Sequence, residues 1–186
     1  LHILCTIVPM STLIVTRTDS GATHSFQEQP LLGEGDTVVD VQFSSLNYKD
    51  AMALEGDKGV MRIDPLVPGI DVVGTVAETS DSRLSPGQLV VACGDGLGEF
   101  RHGGYTTRQR VNAEATIPVP QRFSAHDAAA IGTAGYTAAI CVNQLRAHGT
   151  TQGHILVTGA TGGVGSVAVQ LLKSAGYEVT AVTGRV

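Results

Sequence analysis

The sequence predicts a chain of mixed class, α/β and β, in which a β-rich, barrel-like region leads into an α/β region. Three observations predict it. From residue 11 to about 115, short β-type runs alternate with turn signals. After the extended Ile117-Pro118-Val119-Pro120 the composition changes to Ala-rich spacing of helical type. Residues 155–183 then read as strand, glycine-rich turn, helix and second strand, one βαβ unit of about 30 residues. These place the boundary between two domains near residue 120, with domains at 11–120 and 121–186.

In the first region the strand-like runs are residues 37–43 (TVVDVQF), 69–77 (GIDVVGTVA), 89–93 and 105–111. The turns between them are marked by Glu34-Gly35-Asp36, Val67-Pro68-Gly69, Ser85-Pro86-Gly87 and His102-Gly103-Gly104, each expected to supply a Pro or a positive-φ Gly. Residues 47–54 read as one short helix. In the second region Ser124 is an N-cap with Asp127 at N3, opening a helix over 124–130. A second helix covers 138–147, and Gly149 ends it in a left-handed cap. The βαβ unit follows as a strand at 155–158, a turn at 159–165, a helix at 166–175 ended by Gly176, and a strand at 177–183. No internal repeat or low-complexity tract is present.

Composition removes several function classes. Of 186 residues, 42% are hydrophobic and 16% charged, which is enough apolar material for a folded core. A net charge of -5 without a dense Lys/Arg cluster argues against nucleic acid as a partner, since such binding draws on basic patches. Cys5, Cys93 and Cys141 are odd in number and far apart, so neither a disulfide framework nor a structural zinc site is expected, and a reducing cytoplasm fits. Cys93 and Cys141 sit in apolar runs and are expected to be buried. His2, His24, His102, His126, His148 and His154 show no metal-ligand spacing. Residues 1–9 are apolar but too short to span a bilayer and lack a basic flank, so no membrane partner is expected and Met10 reads as the start. The stop at Val186, at a strand end, reads as a C-terminal truncation.

Residues 157–165 (VTGATGGVG) carry the first chemical signal. A diphosphate can rest against a helix N-terminus only where no side chain blocks the backbone, and exposed amides with the helix dipole then stabilise its charge. The spacing departs from strict G-x-G-x-x-G because Thr161 takes the second glycine position; the flanking strand and helix make the signal specific. The next strand ends in Thr183-Gly184-Arg185. A carboxylate there would bind a ribose 2'-hydroxyl, whereas Arg185 and the Thr183 hydroxyl suit a 2'-phosphate. NADPH is therefore expected over NADH.

Ser44-Ser-Leu-Asn-Tyr-Lys-Asp50, Pro68-Gly-Ile-Asp71, Gly132-Thr-Ala-Gly-Tyr-Thr-Ala138, residues 157–166 and Thr183-Gly-Arg185 occur in order. Together they resemble the medium-chain dehydrogenase/reductase superfamily, and most the zinc-independent quinone oxidoreductase-like branch that includes acrylyl-CoA reductases. The resemblance spans about residues 11–186. It implies a GroES-like β-barrel domain followed by the first βαβ unit of a Rossmann fold, with a homodimer when full length. Zinc alcohol dehydrogenases of this superfamily place Cys where this chain has Asn47-Tyr48, and Gly-His-Glu where it has Gly69-Ile70-Asp71. The expected metal set is accordingly none.

The resemblance implies hydride transfer to the β-carbon of a 2-enoyl thioester such as acryloyl-CoA, then protonation at the α-carbon. Tyr48, Asn47 and Asp50 are the catalytic candidates: Tyr48 beside the nicotinamide as hydrogen-bond or proton donor, Asn47 next to it, Asp50 orienting the loop. The cofactor candidates are Tyr48, Thr133, Gly159, Thr161, Gly162, Gly163, Val164, Gly165, Thr183, Gly184 and Arg185. Against this stand a capping role for Asn47 and Asp50 with Tyr48 as a wall of the cleft, an NADPH:quinone oxidoreductase, and a truncated module without catalysis.

Overall fold

The computed structural model describes residues 5–6, 12–150 and 153–184. Contacts divide the chain into two units, Leu1–Gly132 and Thr133–Val186.

Among the described residues the first unit contains eight strands. β1 (Cys5–Thr6), β4 (Thr37–Ser44), β5 (Asp71–Thr79), β6 (Leu89–Cys93) and β8 (Thr116–Pro118) pair in that order, and β7 (Arg108–Val111) pairs with β4. β2 (Thr12–Thr18) and β3 (Gly21–Gln27) form a separate antiparallel hairpin. Its outer strand, GATHSFQ, lacks the regular apolar alternation that marks a strand, and the hairpin is not among the individual runs named from sequence, which begin at residue 37. One short helix, α1 (Tyr48–Leu54), follows β4.

β5 is buried on both faces, which explains its apolar sequence. Val72 and Val76 enter a core with Val39, Val41, Val90, Ala92 and Leu97. Val73, pointing the other way, packs with Ala128 and Ala129 at the start of α2 (Ala125–Ala147). β4 reaches this pairing through two register shifts, between Val38 and Val39 and between Val41 and Phe43.

Several expectations need correction. His102-Gly103-Gly104 was expected to turn through positive φ, yet neither glycine is among the positive-φ residues. These glycines serve close approach instead: a Cβ on Gly103 would lie 2.0 Å from the Gly69 carbonyl oxygen, and one on Gly104 would lie 2.1 Å from that of Asp71. The two expected helices at 124–130 and 138–147 form one element broken at Gly132, whose φ of 45° and ψ of -162° leave helical space. Ser124 caps its start as expected: Asp127 N–H donates to Ser124 Oγ at 3.1 Å, and Ser124 N–H donates back to Asp127 at 2.9 Å.

The second unit is the βαβ unit together with the second half of α2. β9 (His154–Thr158) and β10 (Glu178–Val182) are parallel neighbours in direct register, joined through α3 (Gly163–Ser174). Val142, Leu172 and Tyr177 form its core with Leu145, Ile155, Val157 and Val179. The buried positions on this half of α2 are Gly135, Ala138 and Val142. Cys141, expected to be buried, is exposed, because one residue off that stripe turns a helical side chain about 100° away. α3 begins three residues earlier than expected, inside the glycine turn. Gly149 and Gly176 follow their helices with φ of 84° and 88°, as the capping argument requires.

Candidate functional site

The candidate residues fall into two groups, one in each unit. In the first unit, β4 ends at Ser44 and the chain passes through Ser45 and Leu46 to Asn47, the N-cap of α1. Asp50 at N3 is fully buried. One of its oxygens accepts from the Asn47 backbone N–H at 2.8 Å, and the other accepts from the Ile70 N–H at 2.9 Å. Asp50 therefore caps α1 and ties it to the segment entering β5. Burial raises its pKa above the ordinary 3.8, the charge of Asp71 adds to that rise, and the donors from Asn47 and Ile70 oppose it. Tyr48, at the first helical position, is 84% exposed. Lys49 beside it is ion-paired to Glu99 at 2.9 Å.

Three residues given no role from sequence complete this group. The Asn47 side-chain amide donates to Asp71 at 3.0 Å. Ser45 Oγ donates to the Ala129 carbonyl at 2.6 Å, where α2 is about to break. Gly132 follows that break, and a Cβ there would lie 2.4 Å from Ser45 Oγ and 2.8 Å from an Asp71 oxygen. The signal for Asp71 was a lone carboxylate at the head of an apolar, buried strand, a position that demands donors.

In the second unit, Gly159, Thr161, Gly162, Gly163 and Val164 are exposed at the mouth of α3, and Gly165 is buried. Gly159 has a φ of 61°, and its carbonyl accepts from the Gly162 N–H at 2.9 Å to close the turn. A Cβ on Gly165 would lie 2.3 Å from that same carbonyl, so only glycine allows the helix to start so close to the turn. Gly162 is the N-cap and the first-turn amides begin at Gly163. This bare, amide-lined helix start has the form that a diphosphate requires. Thr161 and Thr183 share a hydrogen bond of 3.0 Å across the ends of the two strands, with Gly184 next along the chain. Arg185, the candidate for the 2'-phosphate, lies outside the described residues. Thr133 opens the second unit directly after the Gly132 break.

Other charged or titratable side chains of the first unit have protein partners. Arg108 is paired with Asp40 at 2.6 Å, and Arg101 donates to the Glu34 carbonyl at 3.2 Å. His102 Nδ1 receives the Val67 N–H at 3.2 Å, and burial lowers its pKa, which favours the neutral ring. Among the described residues no three His, Cys, Asp or Glu side chains gather as a metal ion would need, and no helix is long and apolar enough to cross a membrane.

Comparison with known proteins adds identity to this geometry. Residues 33–121 match the alcohol dehydrogenase GroES-like domain. The chain is 45% identical over 172 residues to the acrylyl-CoA reductase AcuI of Ruegeria pomeroyi, covering 90% of this chain and 52% of that protein. It is 32% identical over 174 residues to the chloroplastic quinone-oxidoreductase QR1 of Triphysaria versicolor, covering 89% and 52%. Among solved structures, the yhdH oxidoreductase from Salmonella enterica in complex with NADP superposes with a TM-score of 0.89 at 44% identity, over 95% of this chain and 56% of that one. The Bacillus subtilis protein yhfP with NAD bound superposes with a TM-score of 0.86 at 34% identity, over 99% and 56%. The chain thus spans about half the length of the curated relatives it matches.

Proposed function

We infer that this chain, which belongs to the medium-chain dehydrogenase/reductase superfamily, serves an NADPH-dependent reductase acting on the C=C bond of a small 2-enoyl thioester such as acryloyl-CoA, without zinc. The observation that carries this reading is 45% identity, over 90% of the chain, to a relative named acrylyl-CoA reductase. The GroES-like domain and the bare glycine turn support it independently. A cytoplasmic homodimer is part of the same reading.

The residues fit the cofactor. Amides at the start of α3, from Gly163 to Gly165, would hold the diphosphate, with no Cβ between backbone and ligand at the glycines. Val164 would line the same turn. Thr183 and Arg185 would take the 2'-phosphate, with Thr161 bracing Thr183. The related yhfP structure has NAD bound; the absence of a carboxylate in residues 183–185 is what favours the 2'-phosphate here. Bound NADPH would supply a hydride to the β-carbon of the substrate. Thr133 would line the nicotinamide side, and Tyr48 is the residue proposed to meet the substrate. Tyr48 Oη would donate a hydrogen bond to charge developing on the thioester oxygen, or a proton at the α-carbon. Asn47 and Asp50 would keep the start of α1 in place for that contact.

An NADPH:quinone oxidoreductase is the second reading, favoured by the similarity to a quinone-oxidoreductase. NADPH oxidation by the complete gene product, followed with acryloyl-CoA and with a quinone in parallel, separates them. Faster turnover of acryloyl-CoA is expected; turnover of the quinone alone would establish the second reading. NADPH titration of the 186-residue chain tests the non-catalytic alternative, which a tight complex would contradict.

A further inference from the structure

Asp71 has no part in the chemistry described so far, although the fold places it with care. As the first residue of β5 it lies on the face of Val73, because side chains alternate along a strand, and the start of α2 covers that face. Its backbone is held on two sides: its carbonyl accepts from Ser44 Oγ at 2.7 Å, and Gly104 approaches too closely for a side chain. The side chain is fully buried. A buried carboxylate costs more than an apolar group of that size, and its donors decide what it can do.

One donor is the Asn47 side-chain amide at 3.0 Å. Asp50 holds the same residue by its backbone N–H at 2.8 Å. Asn47 is therefore gripped at both ends by two buried carboxylates, one from its own helix and one from β5. Gly132 crowds the same carboxylate oxygen, Oδ2, that accepts from Asn47, so near that a Cβ there would come within 2.8 Å. The carboxylate has little room to turn away from Asn47. A charge-assisted bond in such a confined place sets the orientation of the amide.

We propose that Asp71 is a positioning residue for hydride transfer, holding the Asn47 amide and through it the Asn47–Tyr48 start of α1 in the orientation that meets the substrate. The proposal rests on the reductase reading. Asp71 itself touches no reacting atom in this scheme. Its effect passes through Asn47, so the two residues behave as a single unit.

A double-mutant cycle in the complete gene product tests it, using Asp71→Ala, Asn47→Ala, the double variant and Asp71→Asn. Asp71→Ala is expected to lower kcat by between about tenfold and a hundredfold with KM for NADPH unchanged, the range for a misplaced catalytic group. In the Asn47→Ala background the same change should cost less than about twofold more, because its route of action is already gone. Asp71→Asn keeps an oxygen that accepts from Asn47 and should recover most of kcat. It also serves if Asp71→Ala does not fold, which melting curves on every variant report. Losses that multiply independently, no recovery in Asp71→Asn, or a loss confined to the amount of folded protein would each overturn the proposal while wild-type turnover stands. A wild-type protein that oxidises NADPH with neither substrate would overturn the reductase reading and this proposal together.

Discussion

Replacing Gly132 by alanine tests the break in α2 and its packing at one stroke. Two costs add. The backbone sits at φ 45° and ψ -162°, close to a region populated almost only by glycine, and an L-residue held there costs on the order of 1–3 kcal/mol. The new methyl would also stand 2.4 Å from Ser45 Oγ and 2.8 Å from Asp71 Oδ2. Ser45 can move only by giving up its 2.6 Å bond to the Ala129 carbonyl, worth about 1 kcal/mol, and overpacking of this kind costs roughly 1–3 kcal/mol. The sum is a loss of about 3 kcal/mol or more. Gly87→Ala, in the same unit, is the control: its φ of 83° carries backbone strain, but a Cβ there meets nothing within 4 Å. Urea unfolding followed by circular dichroism should show a lower midpoint for both variants at unchanged m, with Gly132→Ala clearly the lower. Adding Ser45→Ala to Gly132→Ala should return part of the loss, since it removes the nearest atom. Equal midpoints for the two glycine variants would refute the packing argument.

Gly165→Ala places a Cβ 2.3 Å from the Gly159 carbonyl, whereas Gly162→Ala places one at 3.3 Å. Fluorescence titration with NADPH should therefore show the weaker binding for Gly165→Ala, by about tenfold or more, as expected of the glycine that sets strand-to-helix packing. Ser124→Ala removes the acceptor of the Asp127 N–H and should cost about 1 kcal/mol in the same unfolding assay. The Ser124 donors lower the Asp127 pKa, so the carboxylate's share of this cap is present above 3.8 and lost as pH falls through its folded value; the wild-type advantage over Ser124→Ala should shrink in acid. Asp50→Asn leaves one of two backbone amides, from Asn47 or Ile70, without an acceptor and should cost about 1–3 kcal/mol near neutrality. Burial raises the Asp50 pKa, so its favourable share is complete below 3.8 and is lost as pH rises through the folded value. The stability difference between wild type and Asp50→Asn should fall over that window; a difference independent of pH would contradict the raised pKa.

Legibility in the sequence tracked distance along the chain. The Ser124–Asp127 cap, the glycine turn and the βαβ order rest on residues within a few positions of each other, where spacing alone states the geometry. The β2–β3 hairpin escaped because its outer strand, GATHSFQ, sets only Ala22 and Phe26 among polar residues, so no regular apolar alternation announces it. Cys141 was misread because an apolar run in a helix does not say which side faces the core. His102-Gly103-Gly104 looked like a left-handed turn, but its glycines answer to the backbone of Gly69 and Asp71, more than 30 residues away.

By itself the sequence determined the class of the fold, the bare helix start suited to a diphosphate, and Asn47, Tyr48 and Asp50 as a group at one helix end. Only the tertiary structure decided that Asp71 grips Asn47 across 24 positions, and that Ser45 closes the end of a helix segment 84 positions on. The reason is physical. A local motif is set by steric and hydrogen-bonding rules among neighbours. A contact across a sheet depends on register, and here β4 shifts register twice before delivering Ser45 and Asn47 to the head of β5.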